Sequence, residues 1–71
     1  MDGRSRAARY EIRVGGRLGE TLLEAFPGLH AEADGAVTAL IGTLPDQAAL
    51  HGVLADIEAL GLELVELRRL P

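Results

Sequence analysis

The chain has no cysteine, no tryptophan and no lysine, and only one tyrosine, one phenylalanine and one methionine. Without cysteine, neither a disulfide nor a thiolate-bound zinc can staple it. With so few aromatics, its core has to be built from Leu, Ile, Val and Ala. No apolar run approaches the ~18 residues of a membrane span, so no membrane partner is expected. The first nine residues, MDGRSRAAR, are basic but lack the apolar segment of an export signal. The expected compartment is therefore the cytoplasm. Nucleophiles are scarce too. Ser5 sits in the basic stretch, and Thr21, Thr38 and Thr43 have no adjacent base. No carboxylate among the acids has an apolar setting that would raise its pKa. An enzyme is not expected, and no cofactor is implied.

What remains is a chain of 71 residues, enough for one domain. A chain this short buries roughly 60% of the surface its unfolded form exposes. A single core of that size supplies roughly 3–5 kcal/mol. Self-association is the commonest further source of stability, so a homodimer is expected. The net charge is −4 and unevenly placed. Residues 1–9 carry Arg4, Arg6 and Arg9 against Asp2. In residues 10–71, Arg13, Arg17, Arg68 and Arg69 face ten carboxylates. An acidic body repels phosphate backbones, so nucleic acid is not an expected partner. The arginines of residues 1–9 read as a disordered solvated tail, with contact to an anionic surface as the alternative. Arginine without lysine, beside much Ala, Gly and Leu, reads as the composition of a GC-rich genome.

The domain is expected over residues 10–71. Tyr10-Glu11-Ile12-Arg13-Val14 alternates apolar and charged, the pattern of a half-buried strand. Gly15-Gly16 breaks it. Arg17 to Phe26 places Leu18, Leu22, Ala25 and Phe26 at helical spacing, and Pro27-Gly28 ends that helix. Leu29 to Ala33 alternates again. Asp34-Gly35 then separates it from the apolar run Ala36 to Leu44, a hairpin signal. Gly42 inside that run predicts a close backbone approach or a bulge.

The segment Pro45 to Gly61 predicts the one long helix. Asp46 is its N-cap, with Thr43–Asp46 as an alternative capping arrangement one turn earlier. Leu50, Val53, Leu54, Ile57 and Leu60 form its apolar stripe, and Gly61 is the left-handed residue at its end. Leu62 to Leu70 is the last strand, whose alternation breaks between Leu64 and Val65. That break predicts a bulge or partial cover on both faces. The order strand-helix-strand-strand-helix-strand predicts an α+β, ferredoxin-like split βαβ plait. Its antiparallel sheet is expected to run 4-1-3-2 with both helices on one face, leaving bare the face that carries Glu11 and Arg13.

Four features could carry recognition. Gly15-Gly16-Arg17-Leu18-Gly19 joins a strand to a helix start, where backbone amides can hold an anion. It fits no dinucleotide or phosphate-loop motif, so Gly15, Gly16, Arg17 and Gly19 stand between a tight glycine turn and a small-ligand site. His30 and His51 lie on different elements without metal-ligand spacing, so no metal site is expected. Either histidine at a pocket would suit a small plait-type enzyme. Ala48, Gly52, Ala55 and Ala59 line the side of the long helix opposite its apolar stripe. Gly52 costs roughly 1 kcal/mol there relative to Ala. A small-residue face admits a second subunit's backbone, and an Ala-rich solvent face is the alternative. Val65 and Leu67 on the last strand could join an interface between sheet faces or edges.

The run Thr38-x-Leu40-x-Gly42-x-Leu44-Pro45-Asp46-Gln47-Ala48-Ala49-Leu50-His51-Gly52-Val53-Leu54, continuing to Leu60-Gly61-Leu62-Glu63-Leu64, resembles one found in many short, uncharacterised bacterial proteins of high-GC genomes. The resemblance covers residues 36–69 well and Tyr10 to Gly16 loosely, with DQAALHG as its marker. It implies a group and no activity. More remotely, the expected topology is similar to ACT-type regulatory modules, which bind small ligands at a dimer interface beside the first strand–helix loop. The expected function is a non-enzymatic, homodimeric interaction module, accessory to a protein from a neighbouring gene. An ACT-like ligand-binding domain is the alternative.

Overall fold

The computed structural model describes residues 7–16 and 18–71. The elements in chain order are β1 (Ala8–Gly15), α1 (Glu20–Leu23), β2 (Leu29–Asp34), β3 (Val37–Leu44), α2 (Gln47–Ala59) and β4 (Leu64–Leu70). They form an α+β unit with one four-stranded sheet in the order β2-β3-β1-β4. Read from the other edge, that is the expected 4-1-3-2. All three strand pairings are antiparallel. Of the expected tail, residues 1–6 lie outside the described residues. Ala8 and Arg9 already belong to β1, where they pair with Leu44 and Thr43.

Alternation along β1 decides which face is dry. Tyr10, Ile12 and Val14 are buried, while Glu11 and Arg13 point to the opposite face. Phe26, just beyond α1, and Leu50 and Ile57 of α2 complete one core with these residues, Leu40 and Leu44. Both helical segments thus send apolar side chains to the same sheet face. The phenolic oxygen of Tyr10 accepts a hydrogen bond from Gln47 Nε2 at 3.2 Å, which ties the start of α2 to β1.

The long helix is bounded as its residues dictate. Asp46 Oδ1 accepts from the Ala49 amide at 2.8 Å. At the other end, Gly61 adopts φ 75°. The Gly61 amide donates to Glu58 O and the Leu62 amide to Ile57 O, each at 3.0 Å. This is a Schellman closure, and it seats Leu62 against the core.

Three expectations shift. The first helix is a single turn instead of the expected run from Arg17 to Phe26. Its N-cap, Gly19, has no side chain to cap with, and Ala25 and Phe26 already form i→i−3 turns ahead of Pro27. The hairpin turn is Gly35-Ala36 instead of Asp34-Gly35, because Asp34 pairs with Val37. Gly35 at φ 65° with no positive φ at Ala36 gives the sign pattern of a type II′ turn. Leu60 leaves the buried stripe and is 41% exposed.

Candidate interaction surface

Among the described residues, the large hydrophobic side chains that stay exposed lie together in the chain. They are Leu60 (41%), Leu64 (45%), Val65 (51%) and Leu67 (39%). Leu60 caps α2, Gly61 reverses the chain, and the other three belong to β4. The reason is topological. Among the described residues, β4 is an edge strand bonded only to β1. Ile12, opposite Leu67, is fully buried, yet Leu67 itself is not covered. The helical layer stops short of β4, and residues 64–69 are exposed on both sheet faces. A register shift sets Val14 against Leu64 and Arg13 against Glu66, which leaves Val65 as the extra residue of a bulge. The break in alternation at Leu64-Val65 foreshadowed it. A cleft of about 340 Å³ lined by Leu54, Ile57, Glu58, Leu62 and Leu64 runs beside this edge.

The opposite sheet face is polar and internally paired. Arg13 Nη2 donates to Asp34 at 2.6 Å and Nη1 donates to Glu11 at 3.0 Å. These hydrogen bonds, to Asp34 first and then Glu11, hold the Arg13 pKa above its ordinary value. Arg13 reaches Asp34 on β2 by passing over β3, where Ala39 stands opposite both Arg13 and Glu32. Ala39 is only 4% exposed. A methyl group there leaves room for the guanidinium to lie across the strand. Glu66 and Arg68 of β4 extend the network at 3.9 Å to Arg13 and 3.7 Å to Glu11. The bare face expected at Glu11 and Arg13 is thus an ion-pair lattice across the sheet. Sequence reasoning missed Asp34 and Ala39, because a cross-strand reach has no local pattern.

The other singled-out residues fall as follows. Ala48, Gly52, Ala55 and Ala59 are all exposed on α2, and a Cβ on Gly52 would meet nothing within 4 Å. In the first strand–helix loop, the Gly15 amide donates to Glu63 O at 2.8 Å and the Gly16 amide to Ala36 O at 2.7 Å. Gly16 O accepts from Thr38 Oγ1 at 2.7 Å. Gly19 caps α1, and Arg17 lies outside the described residues. A cleft of about 320 Å³ lined by Leu18, Leu23, Ala31, Ala33 and Thr38 adjoins this loop. His30 is exposed on the polar sheet face, 3.4 Å from Glu32. His51 is exposed on α2. Neither lines either cleft. Among the described residues, no cluster of His, Asp or Glu has the arrangement of a metal site. No helix among them is long and apolar enough to cross a membrane.

The family model for a domain of unknown function, DUF8691, matches residues 9–68, and the chain belongs to that family. No curated protein and no solved structure matches it.

Proposed function

We propose that this DUF8691 domain is a ferredoxin-like plait that works as a non-enzymatic interaction module and acts as a homodimer. One observation carries the reading: the exposed apolar group Leu60, Leu64, Val65 and Leu67 on an unpaired sheet edge. A monomer gains nothing from four apolar side chains in water, and a free edge strand invites pairing unless it is blunted by charge or proline. β4 has Glu66, Arg68 and Arg69, but three of its four apolar positions are left open. The small core also leaves stability to be gained by association. Sedimentation equilibrium tests this. The wild-type chain should run at twice its 7.5 kDa mass. Leu67→Glu should run as a monomer with an unchanged far-UV spectrum, since the position is already exposed in the single chain and a carboxylate there would face its own copy across paired β4 edges. Gly52→Leu should leave the dimer intact. A dimer lost with Gly52→Leu and kept with Leu67→Glu would move the interface to the small-residue face of α2.

A second reading, an ACT-like small-molecule site at Gly15, Gly16, Arg17 and Gly19, draws support from the adjoining cleft. The Gly15 and Gly16 amides are already hydrogen-bonded within the fold and the cleft walls are mostly apolar. The ligand class this favours is small and apolar rather than anionic. Thermal shift with hydrophobic amino acids tests it: at 100 times its Kd a ligand adds about 2.7 kcal/mol. No shift at millimolar ligand removes this reading.

A further inference from the structure

We infer that the occupant of the β4 edge is β4 of a second copy, paired antiparallel about a two-fold axis through Leu67, so that the two four-stranded sheets become one of eight. The inference rests on the homodimer reading above and adds its register.

Backbone direction comes first. The Gly16 amide bonds toward β3, to Ala36 O, and the Gly15 amide bonds the other way, to Glu63 O beside β4. Backbone groups alternate sides along a strand, and β1 keeps unbroken register with β3 from Ala8 to Gly15. Arg13 and Glu11 therefore turn their N–H and C=O toward β4, and their partners Glu66 and Arg68 turn theirs back toward β1. Leu67, between them, turns its N–H and C=O outward. It can form a hydrogen-bonded pair with its own copy, at a Cα separation of about 5.5 Å.

Charge then selects among the two-fold registers. With Leu67 opposite itself, Glu66 faces Arg68 of the partner subunit, twice, as a non-hydrogen-bonded pair with Cα atoms about 4.5 Å apart. Centring on Glu66 or on Arg68 instead sets two like charges face to face. The Glu66-Leu67-Arg68 sequence is thus self-complementary in one register and repulsive in its neighbours. Both charged side chains are available. Glu66 and Arg68 are 49% and 57% exposed, and their intrachain partners stand at 3.9 and 3.7 Å, beyond good hydrogen-bond distance. Main-chain bonds supply the adhesion of such strand addition, and the side chains fix its register.

The test is a charge-swap mixture. Glu66→Arg places arginine against arginine in its own homodimer, and Arg68→Glu places glutamate against glutamate. Each variant alone should dimerise about tenfold or more weakly than wild type. Mixed in equal amounts they restore both opposite-charge pairs, and a heterodimer should form with near wild-type affinity. A role confined to the intrachain pairs predicts no recovery on mixing. A wild-type chain that sediments as a monomer overturns both the homodimer reading and this pairing. A wild-type dimer whose two variants still dimerise normally, or do not recover on mixing, overturns the pairing alone. Single cysteines in this cysteine-free chain give an independent readout if a swap unfolds. Leu67→Cys should form a reducible dimer under mild oxidant and Ala55→Cys should not. The reverse result overturns the pairing.

Discussion

Gly42 sits where no side chain fits. A Cβ there would run into the carbonyl oxygen of Gly28 and lie 2.8 Å from Leu29 Cδ2. The backbone of the turn before β2 presses on β3 at this point, so the glycine lets the hairpin edge close. Gly42→Ala should destabilise the domain by about 1–3 kcal/mol, read from the urea midpoint at constant slope. Gly52→Ala is the matched control with the opposite sign. It lies in a helix interior with nothing within 4 Å, so an added methyl should stabilise by about 0.5–1 kcal/mol. Sequence alone distinguished the two by element, strand against helix. Only coordinates show that one has a wall beside it and the other has solvent. Arg13 teaches the same lesson in charge. Its alternating position foretold the polar sheet face, while its partner Asp34 is twenty-one residues away and two strands over. Because the lattice is solvent-facing, salt should weaken it. Raising salt to about 1 M, where the screening length falls to about 3 Å, should lower the wild-type urea midpoint more than that of Arg13→Met. Equal salt responses would remove the lattice as a source of stability. Arg13 stays protonated far above neutral pH, so it adds no pH dependence of its own near neutrality.

Among elements, legibility followed how local the determining forces are. The long helix α2 was readable from end to end because its cap, its stripe and its terminating glycine are all short-range features. Asp46→Ala removes the bond to the Ala49 amide and should cost about 1 kcal/mol. Gly61→Ala forces a Cβ into the left-handed region at φ 75° and should cost about 1–2 kcal/mol. Thermal melts of the two single variants and the double should add, since the caps lie at opposite ends of a thirteen-residue helix. The first helix is shorter than its apolar spacing suggests. Apolar spacing over residues 17–26 looks helical, but a glycine N-cap at one end and Pro27 at the other leave one turn. Tertiary packing of Leu23 and Phe26 settles the rest of that segment. Leu60 departs from the buried stripe for a related reason: the stripe gives its angle around α2 and says nothing about how far the sheet extends beneath it. The edge position of β4 did follow from the topology expected of the element order. Its lack of cover on the helical side, and the gathering of Leu60, Leu64, Val65 and Leu67, needed the three-dimensional arrangement.

At the scale of the whole molecule, a thin core and an uncovered edge belong to the same problem. Nine hydrophobic residues are buried among those described, while four large ones stand in water along one border of the sheet. If a second copy covers that border, folding and association are linked, and mass action acts on stability. The melting temperature should then rise with protein concentration, whereas a monomer melts at one temperature at every concentration. Measured from roughly 5 to 500 µM, a hundredfold range, the linkage should approach about 2.7 kcal/mol per dimer, or about 1.4 kcal/mol per chain, where the chain is dimeric throughout. For a domain of this length, that amounts to roughly 5–11 °C. Leu67→Glu should flatten the slope and melt near the low-concentration limit of the wild type. The distinction from simple destabilisation lies in the slope. A variant that only weakens the core lowers the melting temperature at all concentrations and keeps the dependence, while one that removes the interface abolishes the dependence itself. A wild-type chain whose melting temperature ignores concentration is a monomer whose exposed edge serves something other than its own copy.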